Sequence, residues 1–234
     1  MVTKDFAHLH VHTEYSMLDG AARLGDLFSY AKELGMSSMA TSDHGFLFGA
    51  FDFWRQAKAH DIKPIIGVEA YLTPGTHRTD RSRVRWGDGS RDDVSGGGAY
   101  THMTMWAETT EGMHNLFRAS SIASLEGQLY KPRMDREVLQ TYSKGLIATT
   151  GCPSGEIQTR LRLGQFDEAL QAASDFRDIF GKENFYCEVM DHGLDIERNV
   201  QEDLHRLAKQ LNLPYVATND LHYTRQEDHT AHAA

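Results

Sequence analysis

The chain has 234 residues, with 24 Lys and Arg against 33 Asp and Glu, a formal net charge of -9 and a pI near 5.8. That balance argues against a domain that holds nucleic acid by a broad basic face, unless bound cations reverse the field locally. The length suits one large domain, nothing after Met1 resembles a leader or a membrane span, and two cysteines are too few for a disulfide framework, so the expectation is a soluble intracellular protein with reduced thiols.

Phe6 to Val11 predicts a short strand that ends in His8-Leu9-His10-Val11-His12. Alternate side chains of a strand share one face, so His10 and His12 can reach a common point, and Asp19 follows after a short turn to add a hard oxygen there or at a second ion. Leu24, Leu27, Phe28, Ala31 and Leu34 recur at helical spacing up to Gly35. Ser38 to Thr41 predicts a second strand running into Ser42-Asp43-His44-Gly45. A helix is expected over Phe51 to Ala59, and a third strand over Lys63 to Ala70 with Glu69 near its end.

From Pro74 to Gly98 the rhythm breaks into Gly, Ser, Arg and Asp, the signature of a long mobile loop. Arg78, Arg81, Arg83 and Arg85 beside Trp86 suit a nucleic-acid backbone and a stacked base. They equally suit a solvated insertion whose arginines pair with Asp80, Asp88, Asp92 and Asp93.

Order returns at Tyr100 to Ala107, a strand with His102 near its beginning. A helix over Met113 to Ala123 and a strand over Gly145 to Thr149 follow, the latter leading to Cys152 at its exit. Phe166, Ala169, Leu170, Ala173 and Phe176 form a helical face, Phe185 to Met190 a strand leading to His192, and Val200, Leu204, Leu207, Ala208 and Leu211 a further helix. Tyr215 to Thr218 is a last strand, running into Asn219-Asp220-Leu221-His222. Strands alternating with helices predict a mostly parallel sheet, and no Gly-x-Gly-x-x-Gly turn supports a dinucleotide fold.

Collected, His10, His12, Asp19, His44, Glu69, His102, Cys152, Asp220 and His222 fall mostly just beyond strand ends, where a β/α barrel builds its active site. His102 is the exception, early in its strand. One ion takes about four to six donors, so the set implies two or three ions, with Glu69 and Asp220 as the natural bridges. A single histidine at a strand end is more often structural than ligating; it is the joint placement that argues for metal. Of the 13 histidines, His60, His77, His114, His205, His229 and His232 lack this placement and read as surface residues. His8 reads as core or supporting, Cys187 as packed, and Glu188 and His192 stay ambiguous.

His10 to Gly20, Thr41-Ser42-Asp43-His44-Gly45, Gly67-Val68-Glu69-Ala70-Tyr71, Thr149-Thr150-Gly151-Cys152-Pro153 and Thr218 to Tyr223 resemble the polymerase-and-histidinol-phosphatase (PHP) domain. More narrowly, they resemble the PHP domains at the amino terminus of bacterial replicative DNA polymerase III alpha subunits of actinobacterial type. The resemblance implies a distorted seven-stranded β/α barrel with a trinuclear metal site at its C-terminal face. It places His10, His12, Glu69 and Asp220 around one ion, Glu69, His102 and Cys152 around a second, and Asp19, His44 and His222 around a third. None of the nine positions is substituted, which implies a working 3′-to-5′ exonuclease that proofreads for its polymerase, with Asp19, Asp220 and Glu69 closest to the chemistry.

The ions would be zinc, favoured by the imidazoles and Cys152, or manganese. The implied partners are a single-stranded or frayed DNA 3′ end, the remainder of the polymerase alpha subunit and, through it, the replisome and sliding clamp, in the cytoplasm and without a membrane. Residues 1–234 read as the phosphoesterase domain alone, excised from a longer DNA polymerase whose catalytic Asp-x-Asp signature is missing here. The competing expectations are a catalytically silent, metal-stabilised scaffold of the polymerase and a small-molecule phosphatase of histidinol-phosphatase type.

Overall fold

The computed structural model describes residues 6–91 and 93–233. They form two compact units, one of residues 6–69 and 218–233, the other of Ala70–Ala217.

In the first unit, α1 (Leu24–Glu33) buries the stripe Leu24, Leu27, Phe28 and Ala31, and α2 (Ala50–Ala59) buries Phe53 and Ala57. The Phe28 and Phe53 rings meet edge-on at 4.8 Å, joining the two helices. Strand β1 (Ser38–Thr41) runs parallel to β2 (Lys63–Leu72), in register from Ser38 opposite Lys63 to Thr41 opposite Ile66. The strand expected over Phe6 to Val11 is reduced to isolated bridges, Val11 with Leu221 and Thr13 with Ala22. The segment stays bonded on both sides, with Ala40 donating to the His8 carbonyl and Leu221 to the His10 carbonyl. Its ladder is broken where the Val11 amide donates to the Ser42 hydroxyl, at 2.8 Å, instead of a backbone carbonyl.

The second unit starts with the last residues of β2. It adds a tight turn, α3 (Ser95–Gly98), then β3 (Thr101–Ala107), α4 (Thr110–Glu126), β4 (Gln128–Leu129), β5 (Lys131–Met134), α5 (Arg136–Tyr142) and β6 (Leu146–Thr149). After these come α6 (Glu156–Arg162), α7 (Phe166–Phe180), β7 (Phe185–Val189), α8 (Asp195–Leu211) and β8 (Tyr215–Ala217). The strand order is β4-β5-β2-β3-β6-β7-β8. β2–β5, β6–β7 and β7–β8 pair in parallel, but β3–β6 and β4–β5 are antiparallel, so the sheet is mixed where the sequence predicts a mostly parallel one. The reversal of β3 accounts for His102. The beginning of an antiparallel strand lies level with the end of its neighbour, so a residue early in β3 comes out beside the loop that follows β6.

The β4–β5 hairpin, α5 and α6 are not anticipated by periodicity, because each is too short to show one. The hairpin turns at Tyr130, whose φ of +62° is a left-handed conformation that glycine or asparagine usually occupies.

The segment from Pro74 to Gly98 is tied down by specific contacts. The Arg78 guanidinium reaches Glu126, Asp135 and Glu137 at 2.7, 3.1 and 2.8 Å, none of them the aspartates expected to neutralise the loop. Asp93 instead accepts from the backbone amides of Trp86, Gly87, Gly89 and Val94, and Asp92 lies outside the described residues. Trp86 has one face covered by the Arg160 guanidinium, 3.7 Å from the ring centre, so that face is closed to a base. Arg133, 1% exposed, donates to the carbonyls of Gly127, Ala99, Arg78 and Asp80 at 2.8–3.2 Å.

That guanidinium donates to four carbonyls drawn from the loop, the hairpin entry and the turn before β3, the Gly127 carbonyl being shared with the Arg133 amide. Arg133→Met keeps the volume and takes the side-chain donor from the other three; it is expected to cost about 3 kcal/mol or more, read as a lowered urea midpoint. A change under about 0.5 kcal/mol would show that the loop is held by other contacts.

Candidate metal centre

In the first unit a buried carboxylate organises the ligand-bearing segments. Asp43 accepts from the Thr13 amide at 2.6 Å, the Thr13 hydroxyl at 2.9 Å, the Ser16 hydroxyl at 2.8 Å and the Thr41 hydroxyl at 3.0 Å. This fastens the turn after His12 to the exit of β1. Gly20 closes the same turn with its amide on the Ser16 carbonyl at 2.7 Å. A Cβ there would lie 1.9 Å from the Thr13 carbonyl oxygen, so only glycine fits.

The staple also fixes a tautomer by proton accounting. The Ser16 hydroxyl proton is committed to Asp43, so the 3.0 Å contact between Ser16 Oγ and His12 Nδ1 requires the proton on His12 Nδ1. Nε2 of His12 therefore carries its lone pair. His222 is set the same way, because the Asp220 carbonyl 2.8 Å from its Nδ1 can only accept. The His12 ring lies between those of His222 and His44, at 4.3 and 4.1 Å.

His12 Nε2 and Asp220 Oδ1 are 3.2 Å apart. Both are buried, and neither makes a properly aligned hydrogen bond among the described residues. His10 Nε2 lies 3.3 Å from the same Asp220 oxygen and 3.4 Å from Glu69 Oε1, and His12 Nε2 lies 3.7 Å from Glu69 Oε2. Ligands about 2.0–2.1 Å from a tetrahedral ion stand about 3.3 Å from one another. Four side chains from three segments thus present ligand atoms at ion-ligand spacing, in surroundings that expose none of the two imidazoles and only 1% of Glu69.

The protonation states agree. Burial pushes the His12 imidazole down to about 4, so it is neutral and able to ligate at pH 7. Burial pushes the Asp220 carboxyl up, but it is held well below the usual carboxylate range, foremost by the His10 imidazole beside it. Asp220 also sits at φ +44°, a left-handed backbone in a non-glycine residue, of the kind that concentrates at functional sites.

Beside this group, His44 lies 2.7 Å from Glu69 Oε2 through Nδ1 and 3.0 Å from Asp19 Oδ2 through Nε2. Burial alone would lower its pKa, but Asp19 and Glu69 raise it to about 10. The imidazolium stands between two carboxylates, where a cation is wanted. Burial pushes Asp19 up, and His44 and His222 hold it below its ordinary value; His222 Nε2 is 4.0 Å away.

In the second unit, His102 Nδ1 and Cys152 Sγ are 3.8 Å apart. The His102 amide donates to the Ser154 carbonyl at 3.1 Å, and His102 bridges to Gly155, fixing the start of β3 on the Cys152 loop. Thr149 donates to the buried Glu188 at 2.5 Å, and His192 Nδ1 pairs with Glu197 at 2.6 Å, which gives the two ambiguous residues partners of their own. Cys187 is fully buried with its thiol pushed up to about 12, as a packed residue should be. His77, Asp135 and Glu137 also cluster, but Arg78 already supplies their cation.

Seven of the nine expected ligands therefore gather in the first unit, and His102 and Cys152 face each other in the second. His8 stands apart, edge-on to Phe6 at 4.9 Å. Reasoning from sequence missed Asp43 and Ser16, although both lie inside the recognised motifs. Their signal was the run of hydroxyl residues Thr13, Ser16 and Thr41 around one acid. His232, read as a surface residue, is exposed, but its ring meets that of His222 at 5.4 Å.

The PHP domain family matches residues 8–192. The DNA polymerase III alpha subunit of Saccharopolyspora erythraea is 58% identical across 100% of this chain and 20% of its own length. The corresponding subunits of Mycobacterium leprae and Mycobacterium tuberculosis are 54% and 53% identical across 97% and 98% of the chain. The chain spans about a fifth of the length of these relatives. Among solved structures, an amidohydrolase from Chromobacterium violaceum with bound sulfate and no metal superposes with a TM-score of 0.54 at 13% identity, covering 95% of this chain and 89% of that one. A two-domain protein from Bacteroides vulgatus containing a predicted PHP-like metal-dependent phosphoesterase gives 0.53 at 15% identity, covering 95% and 53%. At these identities the structural likeness speaks for fold alone, and it agrees with the α/β fold expected from the motifs. With the family matched over most of its length, the chain belongs to the PHP domain family.

Proposed function

We propose that this PHP domain is a metal-dependent 3′-to-5′ exonuclease that removes mispaired nucleotides from a primer end for a replicative polymerase of the DNA polymerase III alpha type. The observation that carries the reading is the set of 3.2–3.7 Å separations among His10, His12, Glu69 and Asp220, the first three buried and Asp220 a quarter exposed. A donor set of imidazoles and carboxylates, with Cys152 and His102 as further proposed ligands, suits two or three zinc ions and also accepts manganese.

A bound divalent ion supplies positive charge to the scissile phosphate and makes water nucleophilic near neutral pH. The chain's own residues do the rest. His12 is held neutral by burial and aimed by Ser16 and Asp43, so its Nε2 is ready to ligate without losing a proton. Asp220 is kept ionised foremost by His10, and Glu69 offers one oxygen toward His10 and the other toward His44. Asp19, the most exposed of the seven at 42%, is placed to pass the proton released by the attacking water on to solvent. Water adds to phosphorus, the bond from phosphorus to the 3′ oxygen breaks, and the products are a nucleoside 5′-monophosphate and a shortened strand.

The proposed partners are a single-stranded or frayed DNA 3′ end, the rest of the polymerase, and through it the clamp and replisome in the cytoplasm. No helix among the described residues is long and apolar enough to cross a membrane.

Asp220→Asn and Asp19→Asn are each expected to abolish removal of a 3′-terminal mismatch while circular dichroism stays that of the parent; if both variants cleave like the parent, the proposal fails. Ser16→Ala leaves every ligand in place but releases the His12 tautomer, and should weaken metal binding about 10–100-fold by titration calorimetry. Chelation should lower the melting temperature of the parent, because a ligand of the folded state stabilises it by mass action, and should lower it much less for a His10→Ala, His12→Ala double variant.

A further inference from the structure

The second unit carries cations that no carboxylate answers. Arg83 and Lys131 have no acidic partner within 4.0 Å among the described residues, whereas Arg78 a few residues away is saturated by three. Arg83 is instead held by the carbonyls of Gly96 and Gly97 at 3.1 and 3.3 Å and by the Tyr130 hydroxyl at 2.6 Å, with its guanidinium 5.0 Å from the centre of the Tyr130 ring. Tyr130 is 67% exposed at the tip of the β4–β5 hairpin, in the left-handed backbone noted above. A large aromatic kept mostly in water, on a backbone that disfavours it, makes its side-chain contacts to Arg83 and leaves the rest of its ring open.

From the hairpin the aromatic contacts continue inward. Lys131 Nζ lies 5.3 Å from the Tyr71 ring, Tyr71 meets Tyr100 edge-on at 4.8 Å, and Tyr100 stacks on His102 at 5.8 Å and 22°. The run of ring contacts that starts at Lys131 therefore ends on a proposed metal ligand.

We propose that Arg83, Tyr130 and Lys131 form the seat for a single-stranded polynucleotide, with the exposed tyrosine stacking on an unpaired base and the two cations holding its flanking phosphates. The proposal rests on the exonuclease reading for what the strand is doing there, and charge complementarity selects the occupant. In a chain of net charge -9, unneutralised cations interleaved with an exposed ring match the phosphate and base repeat of a single strand, and a duplex offers that ring no open base face. The planar guanidinium of Arg83 is held in place by two carbonyls on Nη1 and the Tyr130 hydroxyl on Nη2, and neutral partners leave its charge for a phosphate oxygen.

The test is the anisotropy of a labelled oligothymidylate of about twelve nucleotides on the 234-residue chain, with chelator present so that no strand is cut, across a series of salt concentrations. Tyr130→Gly and Tyr130→Asn suit the left-handed backbone and remove the ring; each should weaken binding about tenfold, while Tyr130→Phe stays near the parent. Arg83→Ala and Lys131→Ala should each weaken binding and reduce the slope of log affinity against log salt by about 0.7. Equal affinities for the parent, Tyr130→Gly, Arg83→Ala and Lys131→Ala, or a parent that binds no oligonucleotide, would overturn the proposal. Failure of the exonuclease reading shows differently: a parent that binds through this strip but releases no nucleotide when zinc or manganese is added leaves the seat standing and removes the enzyme.

Discussion

Placing lone pairs against lone pairs inside a protein is unfavourable, and the first unit does this on purpose. His12 Nε2 and Asp220 Oδ1 face each other at 3.2 Å without a usable proton between them, with His10 and Glu69 against the same point. Burial removes the water that would screen the arrangement, and buried ionisable groups are tolerated only when paired or bound to metal. The divalent cation proposed above would engage all four side chains together. The surrounding structure serves that constraint: Asp43 staples the His12 turn, Gly20 closes it where no side chain fits, and Asp220 accepts a left-handed backbone to bring its oxygen in.

The second unit solves a different problem, that of ordering a loop rich in glycine and charge. It does so with buried hydrogen bonds. Arg133 donates to four carbonyls and Asp93 caps four amides in and around the loop, partners that strand ladders do not supply there. What remains at the surface is the set of side chains this scaffolding does not use, Arg83, Tyr130 and Lys131 among them.

Much of this was legible in the sequence because metal chemistry constrains residue type and spacing together. His10 and His12 share a face because their segment is extended, as the alternation implies, even though side-chain hydrogen bonds prevent a regular ladder. Strands β1, β2, β3, β6, β7 and β8 fall within a residue or two of their expected positions, since each is an apolar run bounded by turn residues. The β4–β5 hairpin was not legible, because Pro132 and Arg133 disguise it and its turn uses tyrosine where glycine is the signal. The antiparallel direction of β3 leaves no trace in local pattern; its one hint was that His102 came early in its strand. Arg78 was misassigned because its partners Glu126, Asp135 and Glu137 lie some fifty residues on, beyond the reach of any local charge count.

His10, His12, Glu69 and Asp220 are proposed to hold an ion. Anomalous diffraction at the zinc and manganese edges, from crystals grown with each metal, tests it directly. A peak is expected about 2.0–2.2 Å from His10 Nε2, His12 Nε2 and an Asp220 oxygen. A map showing only water at that point, with the metals taken up elsewhere, would contradict it.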